Sequence, residues 1–508
     1  MMSRKTLAVA AALAATALLL SACDSGGGDG SAEGDADRPL RIAAATDASS
    51  LDPIRGNSAA DQQLLFPIYD TLVSYNSDLI PEPGLVESWE LPSPTELQLN
   101  LREGVTFHDG TDFDAEAVKY NIERGQAEDS LVAPELAAID EVRIDDELTA
   151  TLVLSRPDAS LLMSLADRAG MMVSPTAAEE AGGDLSTDPV GAGGWAFSEW
   201  RRGEILRVER FEEYWDESAV RASEISFSIL TEPQTRANSL IGGQQDIALD
   251  IATPHADLVR EADAVSLFES VRLVSNVVFL NPASDAVSDP RVRRALALSV
   301  DREALLESGF FGFGEPARGI YPDVYWAGPP ESVGYGLDRD EARRLLTEAG
   351  AEGLTFDLVA IANAQTTRIA EILKEQWAEV GVSVEIIPRE VVQMNQEFFV
   401  EGVHPAALTQ FIPHPDPAMT YALAFGSAGF FNPAKIAAPG LEEALAEQNQ
   451  FSEIDDRKDG LDRAAEALYD FTPVVPITAS VALVGLSDEV SGFELSLLGK
   501  PKFVGVTL

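Results

Sequence analysis

Residues 354–387 read LTFDLVAIANAQTTRIAEILKEQWAEVGVSVEII. A strand over 354–361 leads into a helix over 366–380, where Ile369, Leu373, Trp377 and Val380 recur at helical spacing and Gly381 stops the run. A second strand, 382–387, follows at once. Strand, helix, strand in immediate succession is the crossover unit of a parallel sheet, so the chain is of the α/β class. The same order recurs upstream, with a strand at 225–230, a helix at 233–241 and a strand at 247–250. Between the two units, 273–280 (LVSNVVFL) is a near-continuous apolar run that fits a buried central strand.

Working outward, helix starts are marked by Asp289-Pro290, Asp301 and Asp338, each an N-cap residue before an amphipathic run. Asp114 caps another, AEAVKYNIERG, with Val118 and Ile122 on its buried side. Short strands are expected at 40–45, 96–101, 196–200 and 205–209, with a hairpin at 142–154 turning on Asp145-Asp146. The turn at 102–104 is expected to fold Val105 and Phe107 back on 96–101 as a second hairpin. A helix is expected over 62–75, kinked or restarted at Pro67. Amphipathic helices at 441–449 and 461–469 precede an apolar strand at 474–477.

The amino terminus carries a different signal. Arg4 and Lys5 precede an apolar and small-residue run, and Leu20-Ser21-Ala22-Cys23 holds the single cysteine of 508 residues. A basic start with an h-region of this length reads as a secretory signal over 1–22 rather than a membrane span. Small residues before a cysteine resemble a bacterial lipobox, in which Cys23 is acylated and becomes the first residue. A lone cysteine on a secreted chain has no internal disulfide partner, which favours that covalent use. Residues 23–38, with DSGGGDGSAEGDAD at 24–37, bury nothing and are expected to act as a flexible leash. The expected location is the outer face of the cell membrane, held there by lipid alone.

With 84 acidic against 36 basic residues, the net charge of −48 argues against nucleic acid and anionic membrane surfaces as partners. Hydrophobic residues, 45% of the chain, suffice for two or three domains with cores.

A family pattern runs through this frame. The segments are LDPIRGNSAADQQLLFPIYDTLV from Leu51, the run from Pro81 through FHDG and KYNIER, and PVGAGGWAF from Pro189. They continue with FEEYWDE from Phe211, RANSLIGGQQDIA from Arg236 and FLNPASDAVSDPRVRRALALSVDREAL from Phe279. DEARRLLTEAG from Asp340 and PDPA from Pro415 complete the order. Together they resemble the family 5 extracytoplasmic solute-binding proteins of the dipeptide, oligopeptide and nickel class, which feed ABC importers. The resemblance implies a two-lobed, periplasmic-binding-protein-like fold of type II with an extra inserted domain and hinge strands between the lobes. Lobe one would comprise 39–75, 190–277 and 490–508, the inserted domain 76–189, and lobe two 278–489. It also implies a monomer without cofactor or metal, whose partners are a peptide or other small polar solute and the ABC permease subunits.

The residues themselves offer little catalytic chemistry: no Walker-type phosphate loop, HExxH or GxSxG is present. His108 is read as part of a turn, and the glycines at 191–194 as a turn into Trp195. The candidate ligand-binding residues are Asp47, Trp195, Asn281, Gln410, Phe411 and His414; no residue is assigned a catalytic role. Many peptide-binding relatives place an acid three positions before the Asp-Pro pair to meet the peptide ammonium. Here that position is Pro413, so another acid must serve or the ligand is not a simple peptide. A sugar, an opine-like compound or chelated nickel, the last through His404 and His414, is the alternative ligand. A secreted lipid-anchored hydrolase is the rival class, and a surface sensor on the same fold a third.

Overall fold

The computed structural model describes residues 38–56, 59–450 and 453–508. The signal, the leash and Cys23 lie outside the described residues. Among those described, one hydrogen-bonded sheet of eleven strands runs from end to end. The 354–387 stretch forms one edge: strands Thr355–Ile361 and Ser383–Arg389 pair in parallel, with helix Ala364–Ala378 between them in sequence. Asn363 caps that helix through Thr366 N, and Trp377 on its buried face donates to Leu296 O. At the other end, Leu40–Ala44 lies between Ile247–Ala248 and Glu224–Ile229, all parallel. Two antiparallel strands, Ile205–Arg210 and Trp195–Arg201, complete that edge.

The halves meet at two long antiparallel strands, Val265–Leu280 and Val474–Ser487. Residues 275–280 pair with Ala406–Phe411, while Leu486 and Gly485 pair with Ile247 and Ala248. Each long strand therefore belongs to one half at one end and to the other half at the other. Their register shifts between Val271 and Ser275, and again between Asn276 and Val277, at the changeover. Such irregularities bend a strand and raise its local twist.

A separate four-stranded antiparallel sheet forms within residues 86–154, in the order Val86–Ser93, Glu96–Leu101, Thr149–Leu154, Ile139–Asp146. Leu97, Leu99 and Leu101 face its core, and helix Ala115–Gly125 packs there through Val118 and Ile122 with Asp114 as its N-cap.

Two expectations are corrected. The helix expected over 62–75 is Ala59–Leu65 and stops before Pro67; Val73–Tyr75 is a strand. Proline disfavours helix at the residue before it, and the carbonyls of Pro67 and Ile68 accept from Trp195 N and Gly193 N instead. The hairpin expected at 102–107 does not form either. Strand Glu96–Leu101 pairs with Val86–Ser93 and Thr149–Leu154, leaving both its edges occupied.

Those bonds from 193–195 to 67–68 require close approach. A Cβ on Gly191 would stand 2.2 Å from Ile68 O, and one on Gly193 2.5 Å from Pro67 O. His108 locks the same loop: its ring accepts from Gly191 N at 3.3 Å and donates through Nε2 to Gly193 O at 2.9 Å. Burial holds its imidazole below the ordinary range, hence neutral. The histidine is a staple between two turns. Gly193→Ala forces the 67–68 backbone aside and is expected to destabilise by about 1–3 kcal/mol, read as a lower urea midpoint with an unchanged m-value.

Candidate ligand-binding groove

Strand Ala406–Phe411 runs into Ile412-Pro413-His414-Pro415-Asp416-Pro417, where three prolines alternate. Asp416 caps helix Pro417–Phe425, its Oδ1 accepting from Ala418 N at 2.9 Å. Arg457, on helix Ile454–Phe471, grips the same carboxylate: Nη1 lies 2.7 Å from Oδ2, and Nη2 donates to Oδ1 at 2.9 Å. Its Nε donates to Gln448 Oε1, and the guanidinium lies 5.5 Å from the centre of the Trp326 ring. Asp416 is 2% exposed and Arg457 3%. Two fully desolvated charges at this separation depend on each other, because removing one strands the other in low dielectric.

Beside this pair lies a cavity of about 180 Å³. His414, Asp416 and Met419 line one side; Glu135, Ser160, Ser164 and Asp167 line the other, with Gln62 of helix Ala59–Leu65 at the margin. A second cavity of about 340 Å³ shares Met163 and Asp416 with it and reaches Trp89, Trp326 and Arg457. Together they make a groove between the 79–167 region and the 411–457 region. Arg457 Nη1 also donates to Ala159 O at 3.4 Å, spanning it.

The groove is acidic. Lys500 Nζ donates to Asp167 Oδ2 at 2.5 Å, but Asp167 Oδ1 is buried with no hydrogen-bond partner. Burial pushes the Glu135 carboxyl up to about 7; the charge on Asp167 adds to the rise, while Arg168 and Lys500 oppose it. Burial holds His414 below the ordinary histidine range, so it is neutral at pH 7. Walls with two tryptophans and a few convergent polar groups are what a small-solute site requires.

The model of bacterial extracellular solute-binding proteins, family 5 Middle, matches residues 81–432. The chain belongs to this family. Glutathione-binding protein GsiB of Pectobacterium atrosepticum is 28% identical over 382 residues, covering 73% of each chain. Among solved structures, HbpA2 from Haemophilus parasuis superposes with a TM-score of 0.84 at 24% identity, covering 93% of this chain and all of that one. The unliganded open form of the murein tripeptide binding protein MppA gives 0.81 at 20% identity, covering 93% and 97%. These neighbours carry the two-lobed periplasmic-binding-protein fold, and family 5 members are the substrate-binding components of ABC importers rather than enzymes.

In this family 5 protein the six residues singled out from sequence are dispersed. His414 lines the cavity. Gln410 is exposed on the strand leading into it, opposite Asn276, and Phe411 is buried edge-on to Phe279 and Phe425. Asp47 accepts from Trp200 Nε1, Gly203 N and Ala48 N, tying down a turn at the end of the first strand. Trp195 is buried, donates to Ala222 O and borders a different cavity with Tyr214, Trp215 and Lys502. Asn281 donates to Gly402 O and accepts from Ala283 N. His404 is hydrogen-bonded to Glu397, which Arg389 also holds, and does not line the cavity of His414. Among the described residues no cluster of three or more His, Cys, Asp or Glu is placed to hold a metal ion.

Glu135 and Asp167 went unnamed in the sequence reading. Asp167 left a trace, a carboxylate inside the apolar run LLMSLADRAGMMV; Glu135, in a four-residue 3-10 turn, left none. Asp416→Asn keeps an oxygen for the Ala418 cap but leaves Arg457 uncompensated. A loss of about 3–5 kcal/mol is expected, seen as a fall in the denaturation midpoint.

Proposed function

We propose that this ABC-importer component captures short peptides or closely related amino-bearing solutes in the 135–167/411–457 groove. The observation that carries the reading is the cavity itself: a polar, acidic chamber at the loop before Pro417, opening past Met163 into a second chamber walled by Trp89 and Trp326. The smaller suits a charged terminus and the larger an apolar body. The GsiB relatives, named for glutathione, are consistent with a ligand of tripeptide size.

The remaining architecture follows the sequence reading. Residues 1–22 direct secretion, Cys23 is acylated, and the leash keeps a monomeric body at the outer face of the cell membrane for delivery to the permease. Lobe one, the inserted domain and lobe two take the boundaries given above, with the paired strands Val265–Leu280 and Val474–Ser487 flexing between them. Closure would bury the solute and create the shape the permease reads. Of the six candidates read from the sequence, His414 faces the solute in this reading.

Two measurements test this. Native mass spectrometry of the protein purified gently from its own cells should show bound masses in the di- to tetrapeptide range; a single non-peptide mass or a metal adduct would overturn the peptide reading. Cys23→Ser should move the protein from the membrane fraction to the medium and abolish labelling by a fatty-acid probe. Retention on the membrane with unchanged labelling would sink the anchor.

A further inference from the structure

Given the peptide reading above, the open question is what meets the ligand's amino group, since position 413 is proline. The neighbouring acid is not free: Asp416 Oδ1 caps a helix and accepts from Arg457 Nη2, and its Oδ2, without a hydrogen bond of its own, lies 2.7 Å from Arg457 Nη1 in an ion pair. Across the cavity the situation is reversed. Among the described residues Glu135 has neither a hydrogen-bond nor an ion-pair partner for its side chain, yet it lines the chamber. Asp167 is 8% exposed, and only one of its oxygens is engaged, by Lys500. A buried acceptor without a donor is rare and calls for a partner that arrives with the ligand.

We propose that the 79–167 region supplies the amine site: Glu135 forms the ion pair with the ligand's ammonium, and Asp167, oriented by Lys500, accepts a second N–H. The lining contains three carboxylates and neither lysine nor arginine, so a ligand presenting an anion here would meet repulsion. With no metal-holding cluster among the described residues, an organic ammonium fits better than a bare cation. A primary ammonium offers three donors in a compact group, matching two acceptors on one wall and Ser160 or Ser164 beside them. The peptide chain then runs past Met163 toward Trp89 and Trp326. Specificity for a free amino terminus thus comes from the opposite side of the groove to the loop that carries Pro413.

The charge on Glu135 sets a pH dependence. Its carboxyl, near 7, is faced by Asp167, Arg168 and Lys500, and His414 and Asp416 line the same chamber. Burial holds His414 below its ordinary range; Asp167 and Asp416 are in ion pairs with Lys500 and Arg457. Only the ionised form of Glu135 attracts an ammonium, so affinity should rise with pH, by about tenfold between pH 5.5 and 7.

The test uses the full-length protein in detergent, titrated calorimetrically with a synthetic tripeptide library and the same library N-acetylated. Wild type should bind the free-amine library at least tenfold tighter at pH 7 and show the rise with pH. Glu135→Gln should lose both the preference and the pH slope while retaining its binding to acetylated peptides, and Glu135→Asp should recover part of the preference. If wild type binds free-amine peptides and Glu135→Gln discriminates and titrates as before, the amine site is elsewhere and the peptide reading stands. If wild type binds neither library, the peptide reading fails and this assignment falls with it.

Discussion

The antiparallel pairing of Val265–Leu280 with Val474–Ser487 is the constraint from which the rest of the molecule hangs. Each strand is shared between the two halves of the sheet, so one ladder, broken in register only at the changeover, ties both halves together. A backbone group buried without its hydrogen bond is costly, so the ladder resists separation and leaves bending as the soft mode. The register shifts between Val271 and Val277 put the local twist where the strands change partners.

Buried charge organises the next level. In a chain so rich in acid, the few buried cations hold structure together. Arg124 lies 2.5 Å from Asp52, which is fully buried, joining the LDP and NIER segments. Arg293 donates to the carbonyls of Val287, Ser288 and Phe471, and Arg302 to those of Pro476 and Tyr335. Burial lowers both guanidinium groups to about 10, still fully charged at neutral pH. Arg293 and Arg302 thus tie helix and strand ends from different parts of the chain together. Arg457 with Asp416 and Lys500 with Asp167 do the same at the groove. Once those pairs are made, Glu135 remains as the unmatched acid on the wall.

Much of the fold was legible because it is locally encoded. Asp114, Asp289, Asp301 and Asp338 cap helices at the expected positions, since a cap bond spans only two or three residues. The two failures share a cause: Pro67 and the turn at Gly104 were read by their neighbours, whereas the partners that decided them, 193–195 and 149–154, lie far along the chain. The site was less legible still. Asp47, Trp195 and Asn281 have the chemistry of ligand contacts, but each satisfies a backbone group elsewhere, at Gly203, Ala222 and Gly402.

By itself the sequence determined the α/β class, most of the order of elements and the family, because periodicity, caps and ordered motifs are properties of short stretches. Tertiary structure alone decided that 133–136, 160–167 and 414–419 converge on one chamber, and which of its acids already has a cation. Whether a carboxylate is neutralised depends on what lies within a few ångströms in space, and that distance is not written along the chain.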